Sequence, residues 1–163
     1  MEPETIIIRP TALDEMVRAS YESKDKEIIC ELFGKQENPM NWIIESVHPY
    51  QFAKRSKRKI SVNELFVERA SISSCNEVIG DFHLHPLNVG GSYNEYDINF
   101  LEENPNMITI IAGLKTAKKE SYHKNPFLIS SVIHKRKGLI YRLDLKGYYK
   151  NGRIRSALMK ISK

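Results

Sequence analysis

Two histidines one residue apart, His83 and His85, lie in the run Glu77-Val-Ile-Gly-Asp-Phe-His-Leu-His85, which ends at Pro86. The run reads as a strand, and in a strand alternate side chains point to opposite faces. The two imidazoles therefore share one surface, while Phe82 and Leu84 enter the opposite layer. Asn94-Glu-Tyr-Asp97 reads as a helix start that brings a carboxylate back over the strand end. Two His and one Asp, with a water, compose a tetrahedral zinc shell with one position left open. Zinc-bound water gives up its proton near neutral pH. A carboxylate beside that water, but off the metal, can take the proton and pass it to a leaving amine.

Glu27 is the leading candidate for that carboxylate. It opens a strand of largely apolar residues, and partial burial would raise its pKa. Asp81, on the histidine face, and Glu95, at the helix start, compete with it. Each feature also has a plainer reading. A His-x-His pair can be two polar residues on an open face, Asn94-x-x-Asp97 is a capping box, and Glu27 alone is a strand-edge carboxylate.

The surrounding elements must hold these groups. Thr5 to Ile8 is a short strand, and Thr11 with Asp14 caps a helix running to about Ser23, with Leu13, Met16, Val17, Ser20 and Tyr21 on one face. Glu27 to Gly34 is a strand, joined through a turn at Lys35 to Pro39 to a second strand, Trp42 to Val47. Ser61-Val-Asn-Glu64 opens a helix carrying Val62, Leu65 and Phe66. After the histidine strand come a loop with Gly90-Gly91, a helix over Glu95 to Glu103, and the most apolar strand, Met107 to Ala112. Lys115 to Pro126 reads as a polar loop. Phe127 to Ile133 and Leu139 to Leu145 form a strand pair about the basic turn Lys135 to Gly138. Ile154, Leu158 and Ile161 fall at helical spacing in the tail, which reads equally as strand or helix. The mixture is α/β, with mostly antiparallel strands, in a single domain spanning residues 1–163.

With 163 residues, 41% apolar and 28% charged, the chain has room for one ordinary soluble core. No apolar run approaches the roughly 18 residues needed to span a bilayer, and the first residues lack a signal-peptide pattern. A cytoplasmic protein is expected. The only two cysteines, Cys30 and Cys75, read as buried thiols rather than a disulfide framework. A net charge of +5 permits an acidic partner without requiring one. No glycine-rich phosphate loop follows a strand, so no nucleotide cofactor is indicated. His48, His123 and His134 have no ligand spacing.

Taken together, these residues resemble the JAMM, or MPN, metalloprotease domain of deubiquitinating isopeptidases and their prokaryotic relatives. That family's pattern is a glutamate in an early strand followed by Gly-x-Leu-x-Gly, then His-x-His-Pro with a distal Ser-x-x-Asp. Glu27, Leu32 and Gly34 match the first part, with Cys30 where glycine is usual, and His83, His85, Pro86 and Asp97 match the second. The resemblance covers about Thr5 to Ile111. It implies a cytidine-deaminase-like α/β fold, a mixed, mostly antiparallel sheet flanked by helices. It further implies zinc on His83, His85 and Asp97, with Glu27 as general base.

The family serine, which hydrogen-bonds the oxyanion, has no direct match. Ser92 lies five residues before Asp97 and Asn94 three before it, and either side chain can donate. The implied activity is zinc-dependent hydrolysis of an amide or isopeptide bond at the C-terminal tail of a ubiquitin-like or sulfur-carrier protein. The basic groups at Lys54 to Lys59 and Lys135 to Lys137 would either steer an acidic partner or form a solvated face. The alternatives are a catalytically weak or inactive MPN-like interaction module and a nucleic-acid-associated JAMM-fold protein. Small net charge and the lack of interleaved aromatic and basic residues count against nucleic acid.

Overall fold

Runs of apolar residues on alternate positions give this chain its strands, and the places where side chains are missing bend them. The computed structural model describes residues 4–23, 27–49, 54–55, 60–61, 77–119 and 125–163. The elements are β1 (Thr5–Ile8), α1 (Pro10–Glu22), β2 (Ile28–Asn38), β3 (Asn41–Pro49), β4 (Lys54–Arg55), β5 (Ile60–Ser61), β6 (Glu77–His85), α2 (Glu95–Glu103), β7 (Ile108–Ala117), β8 (Ile129–Arg136), β9 (Leu139–Asn151), β10 (Arg153–Ser156) and β11 (Leu158–Ile161). Among the described residues, strands β4 and β5 pair only with each other. The helix expected after Ser61, Cys75, His123 and most of the Lys54 to Lys59 cluster lie outside the described residues.

The main sheet runs β10-β9-β7-β6-β2-β3-β1-β11, with β8 also paired to β9. Pairing is parallel between β6 and β7, β1 and β3, and β1 and β11, and antiparallel elsewhere in this sheet. The open, helix-flanked sheet expected from the JAMM/MPN resemblance is corrected by this structure. The strands turn through 334° about an axis, closing almost into a barrel. Among the described residues only two helices accompany it. The identification as a JAMM/MPN or cytidine-deaminase-like domain falls with the open sheet.

The closure has local causes. Strand β2 shifts register against β3 between Phe33 and Gly34, and against β6 between Leu32 and Phe33. Such bulges bend a strand and increase its twist. Gly34 and Gly80 let backbones meet where no Cβ would fit: a Cβ on either would lie 1.9 Å from a carbonyl oxygen, that of Ile43 or Ile108. The tail then completes the turn, with β10 lying antiparallel to β9 and β11 parallel to β1. Ala157 N–H donates to the Gly147 carbonyl at 2.9 Å and Leu158 N–H to that of Glu4 at 2.8 Å.

The tail is therefore strand throughout its paired length. Unpaired edges of β1 and β9 offer ladder hydrogen bonds that outweigh a helical spacing of three apolar residues. The stretch after Lys115 likewise continues as β7 to Ala117 rather than as loop.

The core gathers Ile6, Ile8, Leu32, Ile44, Phe82, Leu84, Ile108, Ile110 and Leu143, with Ala12 and Met16 of α1 against it. Helix α1 begins with Arg9 as N-cap and Pro10 in the first turn, so the expected Thr11 cap is not used. Proline suits that position because its missing N–H would be unpaired anyway. Helix α2 occupies the span expected from sequence. It packs Leu101 on Ile111 and Tyr148, on the sheet face opposite Phe82 and Leu84. The β8–β9 turn carries Lys137 and Gly138 at positive φ, the conformation of a tight hairpin turn.

Candidate metal centre

The histidine strand lies between β2 and β7, with Ile29 facing His83 on one side and Ile111 on the other. Buried neighbours on both flanks keep water from the imidazoles: His83 is 7% exposed, His85 5% and Asp97 0%. The three could hold a metal ion, since one ligand atom from each lies within 4.8 Å of the other two.

Separate contacts hold each ligand. The Asn94 side chain accepts from the Tyr96 and Asp97 N–H groups, and Asn94 N–H donates to Asp97 Oδ2 at 2.6 Å. The capping box thus aims Asp97 and leaves its Oδ1 2.8 Å from His83 Nε2. His85 is fixed through the glycine loop. Its Nδ1 lies 2.8 Å from the Gly90 carbonyl, so Nδ1–H donates there and Nε2 is left to coordinate. That loop sits directly on Gly113, the β7 neighbour of His85, where a Cβ would come within 2.7 Å of Gly91 N. Asn88 ties it further, with N–H donating to the Leu114 carbonyl and Oδ1 accepting from Thr116 N–H. A Tyr148 hydroxyl donates to the Gly91 carbonyl, and burial, with Tyr93 and Asp97 nearby, pushes its pKa up to about 12.

Among the described residues, three buried atoms, His83 Nε2, His85 Nε2 and Asp97 Oδ1, have no hydrogen-bond partner outside the cluster, where the first and last face each other at 2.8 Å. They are the atoms that would bind an ion, and the donor set suits zinc or another divalent transition metal.

Without a metal the site holds a proton. Burial acts to lower the His83 pKa, but Asp81 and Asp97 overcome it and raise the value to about 10. Burial and the His83 charge lower that of His85, against the smaller opposing pull of Gly90 and Asp97. A histidine whose folded pKa is raised stabilises fully below its ordinary value of 6.5, and that stabilisation is lost as pH climbs through the raised value. In chelator-treated protein the urea midpoint should therefore fall as pH rises from about 7 to about 10, and His83→Gln should flatten the decline. A wild-type midpoint no steeper with pH than that of His83→Gln would remove the charged His83 from this account.

The other expected residues stand at different distances from the cluster. Glu27 lies just before β2, and the register of that strand puts it level with His85. Burial raises its pKa, His83 opposes the shift and Asp97 adds to it, so it stands within electrostatic reach of the cluster. Ser92, Asn94 and Glu95 are exposed, and the Asn94 side-chain oxygen is engaged in capping α2. Asp81 is buried beneath His83 on its Nδ1 side, away from the edge that faces Asp97. Sequence reading did not find Tyr96, whose ring stands edge-on to His83 at 6.2 Å, or the Gly90 carbonyl. A glycine within the apolar strand β7, Gly113, was the available sign that another backbone approaches there.

No family model matches the chain, and no curated protein does. Among solved structures the chain is similar to the solution structure of protein DSY2949 from Desulfitobacterium hafniense. The TM-score is 0.62 at 14% sequence identity, over 98% of this chain and 94% of that one. The likeness is one of fold alone.

The functional expectation is corrected with the fold. Zinc-dependent hydrolysis of an amide or isopeptide bond, and the metallopeptidase assignment with it, joined a motif to an open JAMM-type sheet that this near-barrel does not have. The inactive MPN module and the nucleic-acid-associated JAMM protein depended on the same fold and fall too. A His-x-His strand beside a helix that opens with aspartate can be built on many scaffolds, so the motif alone does not carry the activity. The metal-chelating triad stands by its own geometry. Among the described residues no helix is long and apolar enough to cross a membrane.

Proposed function

We propose that this domain is a metal-binding protein whose resident ion is zinc, held by His83 Nε2, His85 Nε2 and Asp97 Oδ1. One observation carries the reading: three buried ligand atoms converge within 4.8 Å, and among the described residues none has a hydrogen-bond partner outside the triad. His85 Nε2 is left unpaired, which costs about 1–3 kcal/mol, and an ion at the meeting point would engage it together with the other two. Imidazole and carboxylate donors in a three-ligand set favour zinc over magnesium or calcium, which take oxygen ligands in larger number. Zinc held by three protein ligands supplies a Lewis acid with an open coordination position. On this chain the Gly90 carbonyl, the α2 cap and the buried flanks orient the ligands and keep bulk water from them.

Elemental analysis of protein purified without chelator or added metal tests the reading. About one zinc per chain is expected, with none retained by His83→Ala or Asp97→Ala. Failure of the wild-type protein to take up metal even after incubation with zinc would discard the proposal.

A further inference from the structure

Every ligand of the triad has a partner that aims it, and the partner of His83 differs in kind. His85 leans on a neutral carbonyl and Asp97 on a backbone N–H. His83 Nδ1 instead faces a carboxylate, Asp81 Oδ2, at 3.3 Å. Asp81 precedes His83 by two residues on β6, so strand alternation places both on one face, and the shared backbone sets their spacing. Its neighbours across the sheet are Glu31 on β2 and Thr109 on β7, all buried.

Asp81 is 1% exposed, and among the described residues its oxygens have no hydrogen-bond partner beyond the His83 Nδ1 that lies 3.3 Å away. A buried carboxylate left so is among the most costly features a core can carry. The His83 Nδ1–H is the donor placed to meet it. Loading an ion on Nε2 puts the remaining ring proton on Nδ1, turned toward Asp81, and draws positive charge onto the ring beside it. Both changes favour the Asp81 carboxylate. Carboxylate–histidine–metal arrangements of this form fix the tautomer and make the imidazole a stronger ligand.

We propose that Asp81 is the positioning residue of the metal centre, selecting Nε2 of His83 as the ligand atom and tightening its hold on the ion through charge. The inference rests on the metal-binding reading. Asp81 is not itself a ligand, because it lies on the Nδ1 side of a ring whose Nε2 faces Asp97.

The test is zinc affinity, measured by competition with a chromogenic chelator, for wild type, Asp81→Ala and Asp81→Asn. Circular dichroism of the chelated proteins serves as the folding control, and long-range proton–nitrogen spectra of the zinc forms report which His83 nitrogen carries hydrogen. Asp81→Ala should bind zinc about 10- to 100-fold more weakly at unchanged stoichiometry, with the protected Nδ1–H signal lost. Asp81→Asn keeps an acceptor oxygen but not the charge. It should keep that signal and lose about tenfold in affinity, and it carries the test if the alanine variant does not fold. A folded Asp81→Ala, or failing that Asp81→Asn, that binds zinc within twofold of wild type would overturn the positioning role. A wild-type protein that takes up no zinc would instead defeat the metal reading beneath it.

Discussion

Zinc added to chelator-stripped protein should raise its unfolding free energy by about 4 kcal/mol once free metal exceeds the dissociation constant a thousandfold. For a chain of 163 residues, that corresponds to an upward shift of roughly 8–16 °C in the melting temperature, at about 2–4 °C per kcal/mol. Positioning of the ligands without the ion lowers the metal concentration needed to reach that excess. The Gly90 carbonyl orients His85 and the Asn94 cap holds Asp97, so little ordering remains to oppose binding. The His83 proton, held by Asp81 and Asp97, must leave as metal enters. The shift should accordingly be smaller at pH 6 than at pH 8 and absent in His83→Ala. Differential scanning calorimetry with and without zinc decides it, and equal melting temperatures for wild type would contradict a preformed site.

The other large effect belongs to the barrel wall. Gly80→Ala should cost ~4 kcal/mol or more, the upper end for a single substitution. Its Cβ would lie 1.9 Å from the Ile108 carbonyl oxygen, and backbone cannot rotate away as a side chain can. Relief requires β6 and β7 to separate, which breaks their ladder and opens the core around Phe82, Leu84 and Ile110. Gly91→Ala provides the comparison, because its Cβ would meet Ile111 O at 3.4 Å, an ordinary contact. Urea denaturation should separate the two variants by several kcal/mol. Equal losses would mean that close approach at Gly80 does not set the wall.

Local chemistry was legible in the amino-acid order. Period-two alternation put His83 and His85 on one face. Asn94 followed three residues later by Asp97 marked the start of α2, and the helix runs over the residues expected, Glu95–Glu103. Those features depend on bonds between near neighbours, which the order of residues states directly. The second partners were half legible. Asp81 stood on the histidine face in plain sight, yet whether it met the Nδ1 or the Nε2 edge depended on ring orientation, which the contact between Asp97 and His83 settles from another element.

Closure of the sheet was not legible. Gly34, Gly80 and Gly113 appear in sequence as breaks in apolar strands, and only the backbone atoms they meet, Ile43 O, Ile108 O and Gly91 N, show them to be points of close approach. The tail from Tyr148 onward had no preference of its own, and it became β9, β10 and β11 because the edges of the sheet were there to pair with. Residues at short separation thus determined the strand that carries the histidines, the helix that carries Asp97, and the chemistry the three can perform. Tertiary structure alone decided that they meet on the face of a near-barrel, because register, bulges and strand order arise from hydrogen bonds between segments that the sequence keeps far apart.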